Sequence, residues 1–99
     1  MKIRFLASSA TSVAWVQNYY SEVFKAGRKN YSQQYFKAKR SLRDNPEIGY
    51  LFGGVEGVRK YEIVNTPFSF VYRIKNDEIQ ILRVWDNRRE PEEHLSKKL

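Results

Sequence analysis

Between residues 68 and 85 the chain alternates large apolar and mostly polar side chains on either side of the dipeptide Asn76-Asp77. Asn and Asp tolerate positive φ, which a two-residue hairpin turn requires at both positions. The spacing therefore predicts a hairpin of strands over about 68–75 and 78–85, with facing residues whose numbers sum to 153. That register puts Phe68, Phe70, Tyr72, Ile74, Ile79, Ile81, Arg83 and Trp85 on one face. Ser69, Val71, Arg73, Lys75, Glu78, Gln80, Leu82 and Val84 fall on the other. The aromatic-rich face needs a covering layer, and the mixed face is expected to look outward.

The upstream sequence supplies that layer. Residues 2–6 read as a short strand with Ile3 and Phe5 on one face. Ser8, Ser9 and Thr11 offer N-caps for a helix over about 10–26, ended by Gly27. Its apolar side chains (Val13, Trp15, Val16, Tyr19, Tyr20, Val23, Phe24) fill an arc wide enough to pack on two sides. A second helix runs over about 28–43 and stops before Asp44-Asn45-Pro46, since proline disfavours helix in the residue before it. Tyr31, Tyr35, Ala38 and Leu42 form its core stripe, and Lys29, Lys37, Lys39, Arg40 and Arg43 project from the other side. Phe36 lies among these cations, where it either covers the first helix or a loop, or contacts a partner. Residues 44–57 are a glycine-rich connection, and a further strand is expected over about 57–64. The expected fold is α+β, in the order β-α-α-β-β-β, with two antiparallel helices on one face of a small, mainly antiparallel sheet.

At 99 residues with 41% hydrophobic content, one domain spanning 1–99 has enough apolar surface for one core and too little for two. Cysteine is absent, which excludes disulfides, thiolate catalysis and cysteine-ligated metal. The single histidine, His94, argues against an imidazole metal site, so neither metal nor cofactor is expected. The apolar stretch Phe5–Ala7 is too short for a secretory signal, and no run approaches a membrane span; a cytoplasmic protein is expected. The formal charge is +7, distributed unevenly: residues 1–43 carry a net +8 and residues 44–99 a net −1. Such a surface favours an anionic partner, nucleic acid or acidic protein.

Generic motifs of catalysis are thin. Gly53, Gly54 and Gly57 are followed by no Gly-Lys-Ser/Thr and open no helix, so they do not form a phosphate loop. Glu92-Glu93-His94 sits in a polar tail without a third orienting group and reads as solvated surface. The arginines say more. Arg83, placed opposite Phe70 on the apolar face, is expected to pair with a carboxylate near the tail, such as Asp86 or Glu90. Arg59 shares a face with Tyr61 and Ile63 and also reads as structural. Arg73, Arg88 and Arg89 are better placed to meet a partner.

Taken as a set, residues 42–49 (Leu-Arg-Asp-Asn-Pro-Glu-Ile-Gly), 57–60 (Gly-Val-Arg-Lys), 67–74 (Pro-Phe-x-x-Val-Tyr-Arg-Ile), 81–84 (Ile-Leu-Arg-Val) and 88–91 (Arg-Arg-Glu-Pro) resemble the ParE/RelE toxin superfamily. The resemblance covers nearly the whole chain. It implies a bacterial toxin of a type II toxin–antitoxin module, neutralised by a cognate acidic antitoxin. RelE-type members cut mRNA on the ribosome with basic side chains of the exposed sheet face and a tyrosine or histidine near the C-terminus. ParE-type members share the fold and inhibit DNA gyrase without nuclease chemistry.

Matched without gaps to the RelE type, the catalytic arginine falls on Ser69, two lysines on Lys60 and Glu62, a later arginine on Arg89 and the terminal tyrosine on Leu95. Phosphate cleavage by 2′-OH attack needs charge stabilisation and proton transfer, and Glu62 would oppose the first. A nuclease would be left with Lys60, Arg89 and His94. The Pro67-Phe68 and Arg88-Arg89-Glu90-Pro91 segments look ParE-like, although Asp86-Asn87 stands where many ParE-type relatives have His-Gly or similar. The resemblance thus implies a gyrase-binding toxin with no catalytic residues. Arg73, Arg88, Arg89, Lys60 and Phe36 are its expected target- or antitoxin-binding residues; the alternative is a ribosome-dependent mRNA endonuclease.

Overall fold

The computed structural model describes residues 1–89, in the order β1 (Lys2–Phe5), α1 (Ala10–Asn18), α2 (Arg28–Asp44), β2 (Tyr50–Leu51), β3 (Val58–Glu62), β4 (Phe68–Lys75) and β5 (Glu78–Asp86). The strands form one sheet in the order β1-β5-β4-β3-β2, antiparallel except for the parallel β1–β5 pair. The α+β architecture is as expected. The addition is β2, whose two residues are too few to show a periodicity within the glycine-rich connection.

The hairpin turn takes the form its residues require, with φ of 56° at both Asn76 and Asp77. From the turn outward Lys75 faces Glu78, Ile74 faces Ile79, Arg73 faces Gln80 and Tyr72 faces Ile81, in the expected register. Beyond that point the register slips by one, and Val71 faces Arg83, Phe70 faces Val84, Ser69 faces Trp85 and Phe68 faces Asp86. Leu82 is the extra residue of this β-bulge. The bulge overturns the expected placement of three side chains. Val84 joins the helix-covered face opposite Phe70, while Arg83 and Trp85 move to the outer face with Val71 and Leu82.

The helix-covered face holds the larger core. Val16 and Tyr20 from the first helical segment and Ala38 and Leu42 from α2 pack on Ile63, Phe68, Phe70, Tyr72, Ile79, Ile81 and Val84. The outer face, expected to be open, has a second buried cluster of Val58, Val71, Leu82 and Trp85, with Leu6 and Phe52 packed against it.

The first helix is shorter than its apolar arc suggests. After Asn18 it widens into a π turn over Tyr19–Val23, closed by Phe24 N–H donating to Tyr19 O at 2.8 Å. The wider turn lets two consecutive tyrosines meet one ring: Phe68 lies 5.6 Å from Tyr19 and 5.9 Å from Tyr20, centroid to centroid. Trp15, expected in the core arc, is instead 46% exposed.

The serines at the helix start do not cap it. Beyond Phe5, where β1 ends, Ser8 Oγ donates to Leu82 O at 2.8 Å and Ser12 Oγ accepts from Val84 N–H at 2.9 Å. They satisfy backbone groups of β5 past the end of its β1 partner, which would otherwise be buried unpaired.

The connection after α2 is pinned by Tyr72. Its hydroxyl donates to Pro46 O at 2.7 Å and accepts from Gly49 N–H at 2.9 Å. A Cβ at Gly49 would come within 2.8 Å of Lys60 O and 2.7 Å of the Tyr72 hydroxyl. Gly49→Ala should therefore destabilise the protein by about 1–3 kcal/mol through overpacking. A thermal melt shows this as a lowered midpoint, and an unchanged midpoint would contradict the close approach.

Candidate functional site

Three cross-strand rows cross the outer face: Val58–Arg73–Gln80, Lys60–Val71–Arg83 and Glu62–Ser69–Trp85. Trp85 anchors them, with the Phe52 ring edge-on at 4.8 Å. The Lys60 ammonium sits 4.9 Å from the Phe52 centroid and 5.5 Å from that of Trp85. Burial there holds its amine below the ordinary lysine value, against the opposing charge of Glu62. The Arg83 guanidinium lies 5.9 Å from the same indole, and burial and the charge of Arg89 both lower its pKa. Tyr50 lies directly opposite Lys60 on β2, its phenol pushed above the ordinary value by burial and by Glu62.

Arg73 is oriented from the side. Its Nε donates to Gln80 Oε1 at 2.8 Å, Gln80 Nε2 donates to Glu78 Oε1 at 2.8 Å, and Arg4 closes the chain on Glu78 at 2.7 Å.

At the end of β5 the two neighbouring arginines part. Arg88 turns toward the helix layer, where Nε and Nη2 donate to the two Asp86 carboxylate oxygens at 3.0 and 3.1 Å. Its Nη1 donates to the Tyr19 hydroxyl at 2.9 Å, and its guanidinium carbon lies 4.6 Å from the Tyr19 ring centroid. Arg89 stacks over Trp15 at 4.8 Å and lines a hollow of about 320 Å³ with Thr11, Asn18 and Arg83.

The outer face thus brings together Lys60 and Arg73, with Arg89 at the end of the neighbouring β5. Arg88 is instead a strut between β5 and the first helix. Phe36 is 61% exposed on α2, which packs on the opposite face of the sheet. The Asp86 carboxylate expected to serve Arg83 is engaged by Arg88, and Glu90 and His94 lie outside the described residues. Ser69 is fully buried, and its hydroxyl donates to Asn87 Oδ1 at 3.1 Å. Arg59 reaches the carbonyls of Glu47 and Gly49 at 3.2 and 2.6 Å, the structural role expected of it.

Sequence reasoning missed Tyr50, Phe52 and Trp85 as members of this face. The signal for Trp85 was present: apolar residues at 79, 81, 82 and 84 break strict alternation at Leu82, as a bulge does. Chemically the face offers cations set against aromatic rings, suited to holding an anionic or aromatic surface.

The family described as the ParE toxin of the type II toxin–antitoxin system parDE matches residues 3–91. Among solved structures the chain is similar to one from the chromosomal ParDE toxin–antitoxin system of P. aeruginosa, with a TM-score of 0.64 and 24% sequence identity over 85% of this chain and 92% of that one. No curated protein matches it by sequence. Among the described residues, no helix is long and apolar enough to cross a membrane. With the family match running from β1 through the whole sheet and past its last strand, the chain belongs to the ParE toxins of type II toxin–antitoxin systems.

Proposed function

We propose that this ParE-type toxin inhibits growth by binding DNA gyrase through the outer sheet face, without cleaving RNA, and that a cognate acidic antitoxin neutralises it. The observation that carries the reading is Ser69. At the position matching the catalytic arginine of RelE-type toxins stands a buried serine whose hydroxyl is committed to Asn87. Glu62, in the same row, adds negative charge where an anionic transition state would need the opposite. Binding then has to account for toxicity, with Lys60 and Arg73 on that face and Arg89 at its edge, over Trp15, as contact residues.

One observation favours the nuclease alternative. Tyr50 stands opposite Lys60 on β2, a hydroxyl next to a cation on the outer face, the pairing of proton donor and positive charge that phosphate cleavage needs. Immobilised gyrase subunits separate the two readings. Purified toxin should bind one of them, and Arg73→Glu with Arg89→Glu should weaken that binding about tenfold or more, as loss of charged interface pairs does. Binding to neither subunit would remove gyrase as the target. The protein encoded beside the toxin gene should bind it tightly, and an affinity no better than about millimolar would end the antitoxin reading.

A further inference from the structure

A second basic surface lies on α2, away from Lys60 and Arg73. Residues 25–43 carry seven cations and no acid. At 3.6 residues per turn, Arg28, Lys29, Lys39, Arg40 and Arg43 share an arc of about 120° with Phe36 inside it. The core stripe of Tyr31, Tyr35, Ala38 and Leu42 lies on a different side of the helix. Arg28, Lys29, Arg40 and Arg43 are exposed and Lys39 is half-buried. None of the five makes an ion pair with a described residue. The Lys39 ammonium is 5.7 Å from the Phe36 centroid and 5.1 Å from that of Tyr35, so a cation and an exposed ring form one unit.

Unpaired like charges on one arc repel, and a phenylalanine 61% exposed among them keeps only an edge contact with Tyr35. An anionic partner relieves both. A protein partner anchors through several buried apolar side chains; those lie in the groove that Phe36 and Arg28 share with Tyr20, Tyr31 and Tyr35, whereas the cationic arc beyond it offers a single ring. A nucleic acid strand matches it better, because phosphates satisfy the cations and a base can stack on one aromatic face. The helix extends about 25 Å, enough to meet several phosphates in succession.

We propose that this arc of α2 binds a segment of single-stranded nucleic acid, with phosphates on Arg28, Lys29, Lys39, Arg40 and Arg43 and a base stacked on Phe36. The surface is separate from the outer sheet face and does not depend on gyrase being the target.

The test is fluorescence anisotropy of the purified toxin with a short labelled oligothymidylate, a blunt DNA duplex and an acidic helical peptide of equal charge. Oligothymidylate should bind with a log–log salt slope of about −3 to −4, from five phosphates at roughly 0.7 each. Arg40→Glu with Arg43→Glu should weaken it at least about tenfold. Phe36→Ala should weaken the single strand by about fivefold or more, the usual stacking contribution, and leave the duplex unchanged. Lys75→Glu, an exposed charge change away from α2, should change neither. No binding of the oligonucleotide at low salt overturns the proposal. So does a Phe36→Ala variant that binds it as tightly as the parent, or tighter binding of the acidic peptide to the same residues.

Discussion

Ile81→Asp should leave the protein without a cooperative thermal transition. Ile81 is fully buried between Phe5 on β1 and Tyr72 on β4, and its carbonyl accepts from Leu6 N–H at 3.0 Å. The substitution removes about 1.5–3 kcal/mol of apolar burial and sets a carboxylate where no cation reaches. Keeping that carboxyl buried costs several kcal/mol more, even when it is protonated. The total is comparable with the roughly 5–15 kcal/mol that holds a protein of this size folded. Val71→Asp is the informative companion. The 153 register placed Val71 on an open face, where an aspartate would be tolerated. Val71 is in fact fully buried under Phe52 and Trp85, so Val71→Asp should also destabilise the protein, through the smaller cluster. Near-UV circular dichroism during a thermal melt distinguishes the outcomes. A native melt for Val71→Asp would show the second cluster to be dispensable.

Arg88→Ala should lower the melting temperature by roughly 10 °C at neutral pH. Arg88 is the hydrogen-bond partner of a buried carboxylate: the Asp86 side chain is 4% exposed and that of Arg88 46%. Removing the arginine leaves Asp86 with too few donors, a loss of about 2 kcal/mol once the exposure of the arginine is discounted. For a protein of this length each kcal/mol corresponds to about 4–8 °C. Burial pushes the Asp86 carboxyl up, but the hydrogen bonds and charge of Arg88 and a hydrogen bond from Trp15 bring it below its ordinary value. A carboxyl whose pKa is lower folded than unfolded stabilises above its unfolded value, about 3.9, and loses that contribution as pH falls through the folded value. The parent and Arg88→Ala should therefore differ fully at pH 7 and converge below about pH 4. Equal melting temperatures at pH 7 would show that the strut does not stabilise the fold.

The hairpin, the α2 stripe and the helix-covered face were legible because each rests on a local rule: positive φ at Asn76-Asp77, 3.6-residue spacing, and period-two alternation. The bulge at Leu82 was not, because a register derived from a turn assumes an unbroken ladder, and one extra residue turns over everything beyond it. Arg83 and Trp85 changed faces for that reason alone. Lys60 and Arg73 sit on the strands where the sequence put them: Arg73 lies on the turn side of the slip, and Lys60 belongs to β3, whose ladder with β4 is unbroken. The bond from Arg88 to Tyr19 joins residues 69 positions apart, and no local pattern announces it. An arginine pair at the end of a strand reads as two solvated charges. Only the packed structure shows one as a strut and the other over Trp15.

One paired assay separates toxicity by binding gyrase from toxicity by cutting RNA. Purified toxin is added in parallel to a gyrase supercoiling reaction and to ribosomes translating a defined mRNA. Lost supercoiling or accumulated gyrase–DNA cleavage complexes are expected, relieved by Arg73→Glu with Arg89→Glu, with the message intact. Codon-specific cuts that vanish on Tyr50→Phe or His94→Ala, with gyrase untouched, would contradict gyrase as the target.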